Sequence, residues 1–445
     1  MTTLTADQEQ AKAKFQEFLK NDEATAFLLE GGAGVGKTFL VGQLLLDFDG
    51  SLCVCTPTHK ATNVIRRKLD AFGIDWTRGY DPYSYHGECV TGTTAQLLGI
   101  GPVVTEDQDS KKVKFGRANK GILSKFTPRL LVIDEVSMLG WNDFRELMKH
   151  GKASGMKILA VGDAGQLPPV QAERIPFEKF VHKATLRQVV RQAEGSAIIQ
   201  VGWAIREDQS WRDIHGPGVR VESRLQDAFL EAVQAPGERP EEEREVFIAY
   251  RNVVVNTVQE AACQKLYGHG RKEFAPGELV LSETNLYRAK TLLCANQDEL
   301  VVVEFHEDER DEQMGVPVTL RHRRSSTSIT GSFRAHYLSP EELADPKHPY
   351  NVELKRLEAE AQELQAQVKA GAKHLDSQRR QAWVNFFSWR DTTVISFRHP
   401  FAITSHKSQG STYRAVFVAA NDFAKFGKHG LYVAVTRPKE ELVYC

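Results

Sequence analysis

Residues 26–46 read AFLLEGGAGVGKTFLVGQLLL, and no other stretch restricts the fold so strongly. A short apolar run, Phe27-Leu28-Leu29, ends in Gly31-Gly32-Ala33-Gly34-Val35-Gly36-Lys37-Thr38, and an apolar-rich helical pattern follows. This is GxxxxGK[ST] between a strand and a helix. A polyphosphate needs backbone N–H groups aimed at it from a tight loop and a helix N-terminus, and glycines allow that close approach. Lys37 is long enough to reach the β/γ phosphates, and Thr38 can offer its hydroxyl to Mg2+. The stretch therefore predicts a parallel α/β core with Gly32, Ala33, Gly34, Val35, Gly36, Lys37 and Thr38 as the phosphate cradle.

With 445 residues the chain has room for about three domains. Hydrophobic residues make up 41% and charged residues 26%, which excludes a disordered or fibrous chain. Lys plus Arg number 57 against 58 acidic residues, so a nucleic-acid partner would need locally basic grooves. The six cysteines, at 53, 55, 89, 263, 294 and 445, lack metal-ligand spacing and read as free thiols in a reducing compartment. Neither a signal-peptide pattern nor an apolar run of about 18 residues is present, so the expectation is a cytoplasmic protein with no membrane partner.

Further polar groups fall just after apolar runs. A helix over residues 4–21 carries Gln8, whose amide can both donate to and accept from an adenine edge. The strand 51–57 leads into Thr58-His59-Lys60, and residues 91–98 bring Thr93; both sets suit a sugar-phosphate backbone or simple helix caps. Residues 99–121, with five basic side chains in their second half, read either as a β-hairpin or as a surface loop. The run PRLLVIDE predicts a buried strand ending in Asp134, placed for Mg2+, and Glu135, placed to polarise an attacking water. In KILAVGDAGQLPP, Gln166 can accept from water and donate to a γ-phosphate. Arg187 and Arg191 share a helix-like face, and Arg437 follows LYVAVT; each is a candidate finger for phosphoryl charge. The acid-rich residues 236–245 read as a solvated loop. Residues 349–370 form an amphipathic helix with Leu354, Leu357, Ala361 and Leu364 on one face, either a projecting arm or a packed surface helix. In AITSHKSQGST, the polar groups Thr404 to Gln409 and then Gly410 sit between two apolar segments.

The order of GGAGVGKT, CTPTHKA, TTAQLL, VIDEVSM, VGDAGQLPPV, LRQVVR, FIAYRN, ITSHKSQGST and LYVAVTR resembles the superfamily 1 helicases. Within them it resembles the Dda-type and RecD-like branch that moves 5′→3′, the small phage Dda-type enzymes above all. The resemblance implies an α/β fold of two RecA-like P-loop NTPase motor domains, with an inserted β-hairpin pin and an inserted SH3-like β unit with a helical tower. The implied boundaries are 1–185 for the first motor domain with the pin at 96–121, then 186–285 with 383–445 for the second, and 286–382 for the SH3-like unit. It implies that Gln8 contacts adenine and that Gly410 lies at the nucleotide. Lys37 and Thr38 would hold phosphates and Mg2+, and Asp134 and Glu135 the metal and water. Gln166 would sense the γ-phosphate, with Arg191 and Arg437 as fingers and Thr58, His59, Thr93, Thr404 and His406 along the strand. The implied activity is an ATP-dependent 5′→3′ single-stranded DNA translocase and helicase, or a translocase that displaces bound proteins with little unwinding. The implied cofactors are ATP and Mg2+. Implied partners are single-stranded DNA, forked or 5′-tailed duplex, and single-stranded DNA-binding or replisome proteins. The expected working form is a monomer in a bacterial or phage-infected host cytoplasm.

Overall fold

The structure is a computed structural model and describes residues 4–78, 89–107, 110–117, 121–189, 196–288, 291–323, 331–392 and 394–445. It divides into two compact units, one of residues 1–232, 240–255 and 403–445, the other of 233–239 and 256–402.

The first unit contains a seven-stranded sheet in the order Thr77–Arg78, Cys89–Thr93, Leu52–Thr56, Leu130–Ile133, Lys157–Gly162, Ala26–Gly31, His182–Leu186. Its paired neighbours all run parallel. The strands are nearly continuous apolar runs because both faces are covered. Alternate residues divide between two cores: Leu29, Val54, Val132 and Leu159 go to one, and Leu28, Cys53, Leu131 and Ile158 to the other. Helix Ala6–Lys20 covers the first face with Phe15 and Phe18, whose rings each lie 5.5 Å from that of Phe27. Full burial of such a side chain contributes about 1.5–3 kcal/mol. Helix Trp141–Ser154 covers the other face with Phe144 and Leu147.

Of the two readings of residues 99–121, the backbone is a hairpin. Helix Thr94–Leu98 stops at Gly99, whose φ of 68° suits only glycine comfortably. Strands Ile100–Asp107 and Ser110–Arg117 then pair antiparallel, from Ile100 with Arg117 to Asp107 with Ser110.

The same unit holds a five-stranded sheet in the order Val219–Val221, Pro438–Tyr444, Tyr413–Val418, Glu245–Ala249, Ala402–Thr404. The first three of these pairings are parallel. Val246, Ile248, Val416 and Leu442 form one core, while Phe229 packs edge-on against Phe247 and Phe417 on the opposite side.

The second unit is built on a six-stranded, mainly antiparallel sheet: Val394–Ile395, Ser332–Tyr337, Val316–His322, Glu299–Phe305, Leu279–Ser282, Phe397–Arg398. Its first strand in the chain, Leu279–Ser282, lies upstream of residue 286, where the sequence reading starts the insertion. Helices Pro349–Lys369 and Asp376–Thr392 pair with each other. Tyr350 stacks on Trp389 with centroids 5.9 Å apart, and Arg379 donates to Gln365 at 2.9 Å. Leu357 and Ala361 are buried, so this helix is a packed one. All six cysteines are free thiols. Among the described residues no helix is long and apolar enough to cross a membrane.

Candidate active site

Gly36, with φ of 77°, caps helix Lys37–Leu46, and the loop before it curls around the helix N-terminus as the sequence motif requires. Gly32 lies so close to Trp203 that a Cβ there would meet the indole at 3.0 Å. Lys37 Nζ donates to the carbonyls of Gly31 at 2.6 Å and Gly32 at 2.9 Å, so its ammonium lies back along its own loop. Gln8 is buried; its Nε2 donates to Val35 O at 3.2 Å and its Oε1 accepts from Thr5 N at 3.0 Å. The amide proposed for adenine thus ties the first helix to the phosphate loop in this conformation.

Strand Leu130–Ile133 delivers Asp134 and Glu135 to the same end of the sheet as the loop. Asp134 Oδ1 accepts from Glu135 N at 2.9 Å. Glu135 adopts φ of 53°, a backbone region that non-glycine residues occupy at a cost of about 1–3 kcal/mol and mostly at functional sites. Burial raises the Glu135 carboxyl above its ordinary range, and Asp134 raises it further. Lys37, Arg437 and Lys68 oppose that rise. Gln166, almost fully buried, has its Oε1 without a hydrogen-bond partner among the described residues. An orphaned buried acceptor of this kind calls for a ligand or water.

The two sheets of this unit meet around Tyr432, which sequence reasoning missed. Its hydroxyl donates to Asp163 Oδ2 at 2.6 Å and accepts from Ala33 N at 2.9 Å, joining the helix Lys428–Val435 to both the Gln166 loop and the phosphate loop. Asp163 is wholly buried and also takes Gly165 N at 2.9 Å and Arg206 Nε at 3.4 Å. His429 Nδ1 lies 2.8 Å from Gly165 O. Between the sheets is a cavity of about 640 Å3, lined by Ala33, Gly34, Lys68, Trp203, Gly410 and Tyr432 among others. That volume is in the range of small-molecule and nucleotide sites. Thr38 Oγ1 and the Asp134 carboxylate supply hard oxygen donors of the kind Mg2+ takes.

Arg437 is buried and donates to Val433 O at 2.9 Å, Ser411 O at 3.2 Å and Thr436 Oγ1 at 3.0 Å. Three of its five N–H groups are thus used within its own sheet layer, and its charge opposes the rise at Glu135. Arg191 lies outside the described residues. Arg187 stands beyond strand His182–Leu186 and not on a helix, because its N–H and that of Gln188 are taken by Asp7 Oδ2 at 2.7 and 2.9 Å.

The threonines expected along a polymer are all helix N-caps. Thr58 accepts from Ala61 N at 3.2 Å, Thr93 from Gln96 N at 3.2 Å, and Thr404 from Lys407 N at 3.5 Å. Their hydroxyls serve the local backbone, while each helix start is held at the C-terminal end of a strand. Burial, with Arg66 nearby, takes His59 down to about 4, so it is neutral at physiological pH. His406 is half-buried, edge-on to Tyr250 at 5.6 Å, and burial lowers it too. The acid-rich segment is not a plain solvated loop: Glu241 pairs with Lys60 at 2.8 Å, and Glu245 is buried against Arg414. Charge composition alone could not have revealed either partner, since Lys60 is distant in sequence.

Comparison with known proteins gives two family matches, an AAA domain over residues 3–216 and a UvrD-like helicase C-terminal domain over residues 399–444. The chain is 31% identical over 198 residues to the ATP-dependent RecD2 DNA helicase of Deinococcus radiodurans, covering 42% of this chain and 22% of that protein. It is 29% identical over 164 residues to the ATP-dependent DNA helicase Pif1 of Campylobacter jejuni, covering 36% of this chain and 32% of that protein. The chain thus spans a third or less of the curated relatives it matches. Its fold is similar along its whole length to a Pif1 helicase from Bacteroides in complex with ADP-AlF3 and ssDNA, covering 92% of that chain at 16% identity and a TM-score of 0.52. It is likewise similar to the Pif1 helicase of Candida albicans, covering 94% of that chain at 15% identity and a TM-score of 0.53. These likenesses correct the narrower resemblance drawn from the motifs: along its whole length the fold is similar to that of Pif1 helicase structures, and not specifically to the Dda-type and RecD-like branch. The chain has a RecA-like P-loop NTPase architecture carrying additional β and helical insertions.

Proposed function

We propose that the protein is an ATP-dependent DNA helicase that moves 5′→3′ along single-stranded DNA and couples ATP hydrolysis to unwinding. The observation that carries this reading is the bridge from Ala33 through Tyr432 to Asp163, which joins a phosphate loop on one parallel sheet to a helix of a second. A nucleotide that enters beside Ala33 must rearrange that bridge, so its binding and loss can move one sheet against the other. The relatives reinforce the reading: a RecD2 and a Pif1 helicase by sequence, and Pif1 structures described with ssDNA and with forked dsDNA.

In this mechanism Lys37 swings from the Gly31 and Gly32 carbonyls onto the phosphates and neutralises charge that develops on the transferred phosphoryl group. Mg2+, when bound, would supply positive charge against the phosphates, and Thr38 and Asp134 would hold it. Glu135 orients the attacking water; burial, with Asp134 beside it, raises its carboxyl above the ordinary value. Gln166 Oε1 accepts a hydrogen from that water, and Arg437 supplies the cation from the second sheet. Gly410 and Gln8 shape the nucleotide site. The helix starts at Thr58, Thr93 and Thr404, with His59 and His406, carry the strand through backbone N–H groups. The two sheets of the first unit act as the motor domains, residues 96–121 as a strand-separating pin, and the second unit as an SH3-like module with a helical tower. Single-stranded DNA and forked or 5′-tailed duplex are the polymer partners, with a monomer as the working form.

Steady-state hydrolysis with and without oligonucleotide tests the reading. Stimulation by single-stranded DNA is expected in the parent protein and its loss in Lys37→Ala. Near-parental stimulated turnover in that variant would remove the assignment.

A further inference from the structure

Lys68 belongs to no motif in the sequence, yet its side chain ends in the phosphate site. Helix His59–Ala71 turns Val64, Arg67, Lys68 and Ala71 toward the cavity that Ala33 and Gly34 also line. From there Lys68 Nζ donates to Thr38 Oγ1 at 3.1 Å. That oxygen is the one a phosphate-loop threonine offers to a divalent cation. The loop's own lysine is not available for it, since Lys37 is drawn back onto the Gly31 and Gly32 carbonyls. The charge at this end of the site is therefore set by Asp134 and Glu135 on one side and by Lys37, Lys68 and Arg437 on the other, and all three cations act on Glu135.

We propose that Lys68 is a tethered stand-in for the divalent cation, holding the Thr38 hydroxyl in the nucleotide-free site and ceding that position when Mg2+ arrives with the nucleotide. The inference rests on the reading of this cavity as a nucleotide site and adds a specific residue to it. An ammonium and Mg2+ cannot share one hydroxyl oxygen at contact distance, so the two exchange and do not coexist there. When nucleotide binds without a divalent ion, Lys68 remains close enough to give the β-phosphate a charged hydrogen bond. Nucleotide affinity then depends only weakly on Mg2+ as long as residue 68 is a cation. The helix that carries Lys68 starts at the Thr58 cap, so exchange at Thr38 links occupancy of the nucleotide site to that strand-end helix start.

The test is equilibrium binding of a fluorescent ADP analogue, in EDTA and in excess Mg2+, to the full chain and to its Lys68→Met and Lys68→Arg variants. Removing Mg2+ should weaken binding to the parent by about threefold or less, and to Lys68→Met by about thirtyfold, the worth of one charged hydrogen bond. Lys68→Arg should behave as the parent does. Equal Mg2+ dependence in the parent and Lys68→Met overturns the inference while leaving the nucleotide site intact. Failure of the parent to bind the analogue in either condition overturns the nucleotide reading, and this inference with it. A second measurement needs no variant: acetylation of Lys68, followed by mass spectrometry, should rise when Mg2+ is added to the ADP-bound protein. An unchanged acetylation rate overturns the exchange.

Discussion

Replacing Tyr432 by Phe removes one oxygen and keeps the buried ring, which makes it a clean perturbation of the bridge between the two sheets. The hydroxyl donates to Asp163 Oδ2 at 2.6 Å and accepts from Ala33 N at 2.9 Å. Asp163 has 0% exposure, so water cannot replace the lost donor without entering the packed interior. Its other partners, Gly165 N at 2.9 Å and Arg206 Nε at 3.4 Å, remain. A hydrogen bond to a charged acceptor contributes about 1.5–3 kcal/mol, and the stranded Ala33 N–H adds about 1 kcal/mol. Arg206 can close on Asp163 and recover part of this, leaving a net loss of about 2–3 kcal/mol. The loss falls on the contact between the sheets and spares both cores. Hydrogen exchange read by mass spectrometry on the nucleotide-free protein resolves the difference. Peptides spanning residues 31–36 and 428–435 should exchange faster by about 30- to 100-fold in Tyr432→Phe, as local opening becomes easier by that free energy. Adding ADP should restore protection at residues 31–36, because phosphate oxygens then take the Ala33 N–H. Unchanged exchange at both peptides would refute the claim that this hydroxyl couples the sheets.

Other consequences are as direct. Glu135→Gln should bind ATP with parental affinity and lose turnover by about 100-fold or more, since it keeps shape and removes the group that orients water; pre-steady-state phosphate release measures this. Glu241 is held down to about 2 by Lys60 and Arg244, against an ordinary value of 4.5. Its contribution, on the order of 3 kcal/mol, is therefore present above pH 4.5 and lost as pH falls toward 2, and Lys60→Met should reduce that acid-dependent part, leaving the share due to Arg244, in denaturation curves taken from pH 6 to 2. His59 titrates near 4, so His59→Gln should weaken single-stranded DNA binding without altering the slope of affinity against salt at pH 7, as fluorescence anisotropy can record. Replacing residues 104–114 by a short Gly-Ser bridge should leave DNA-stimulated hydrolysis in place and collapse strand displacement; undiminished unwinding would rule the hairpin out as the pin.

What was legible in the sequence was whatever chain-local physics determines. The phosphate loop, the apolar strand ending in Asp134-Glu135 and the strand ending before Asp163 and Gln166 all announce themselves through runs of residues buried on both faces. The long helix at 349–370 was likewise visible in its spacing, while residues 99–121 stayed open between a hairpin and a loop until the strand pairing decided it. Pairings between distant segments were not. Tyr432 sits in an apolar helix run, and only the meeting of two sheets turns its hydroxyl into a bridge. Lys68 looks like an ordinary surface lysine until helix His59–Ala71 aims it at Thr38. The acidic segment looked solvated because Lys60 lies far upstream. Thr58, Thr93 and Thr404 show the opposite effect: residue types that suit a phosphate backbone also make the best helix caps, and the capping role is the one their hydroxyls perform. The branch assignment rested on short motifs, whereas along its whole length the fold is similar to that of Pif1 helicase structures.

Under the proposed function this site drives directional movement on one strand strongly enough to part a duplex. Strand displacement with ATP and Mg2+, comparing the same duplex with a 5′ tail and with a 3′ tail, tests it most directly, with Lys37→Ala as the inactive reference. Rapid displacement of the 5′-tailed substrate is expected, with little on the 3′-tailed one and none by Lys37→Ala. Displacement only from the 3′ tail would contradict the direction of movement, and none from either tail despite DNA-stimulated hydrolysis would contradict unwinding itself.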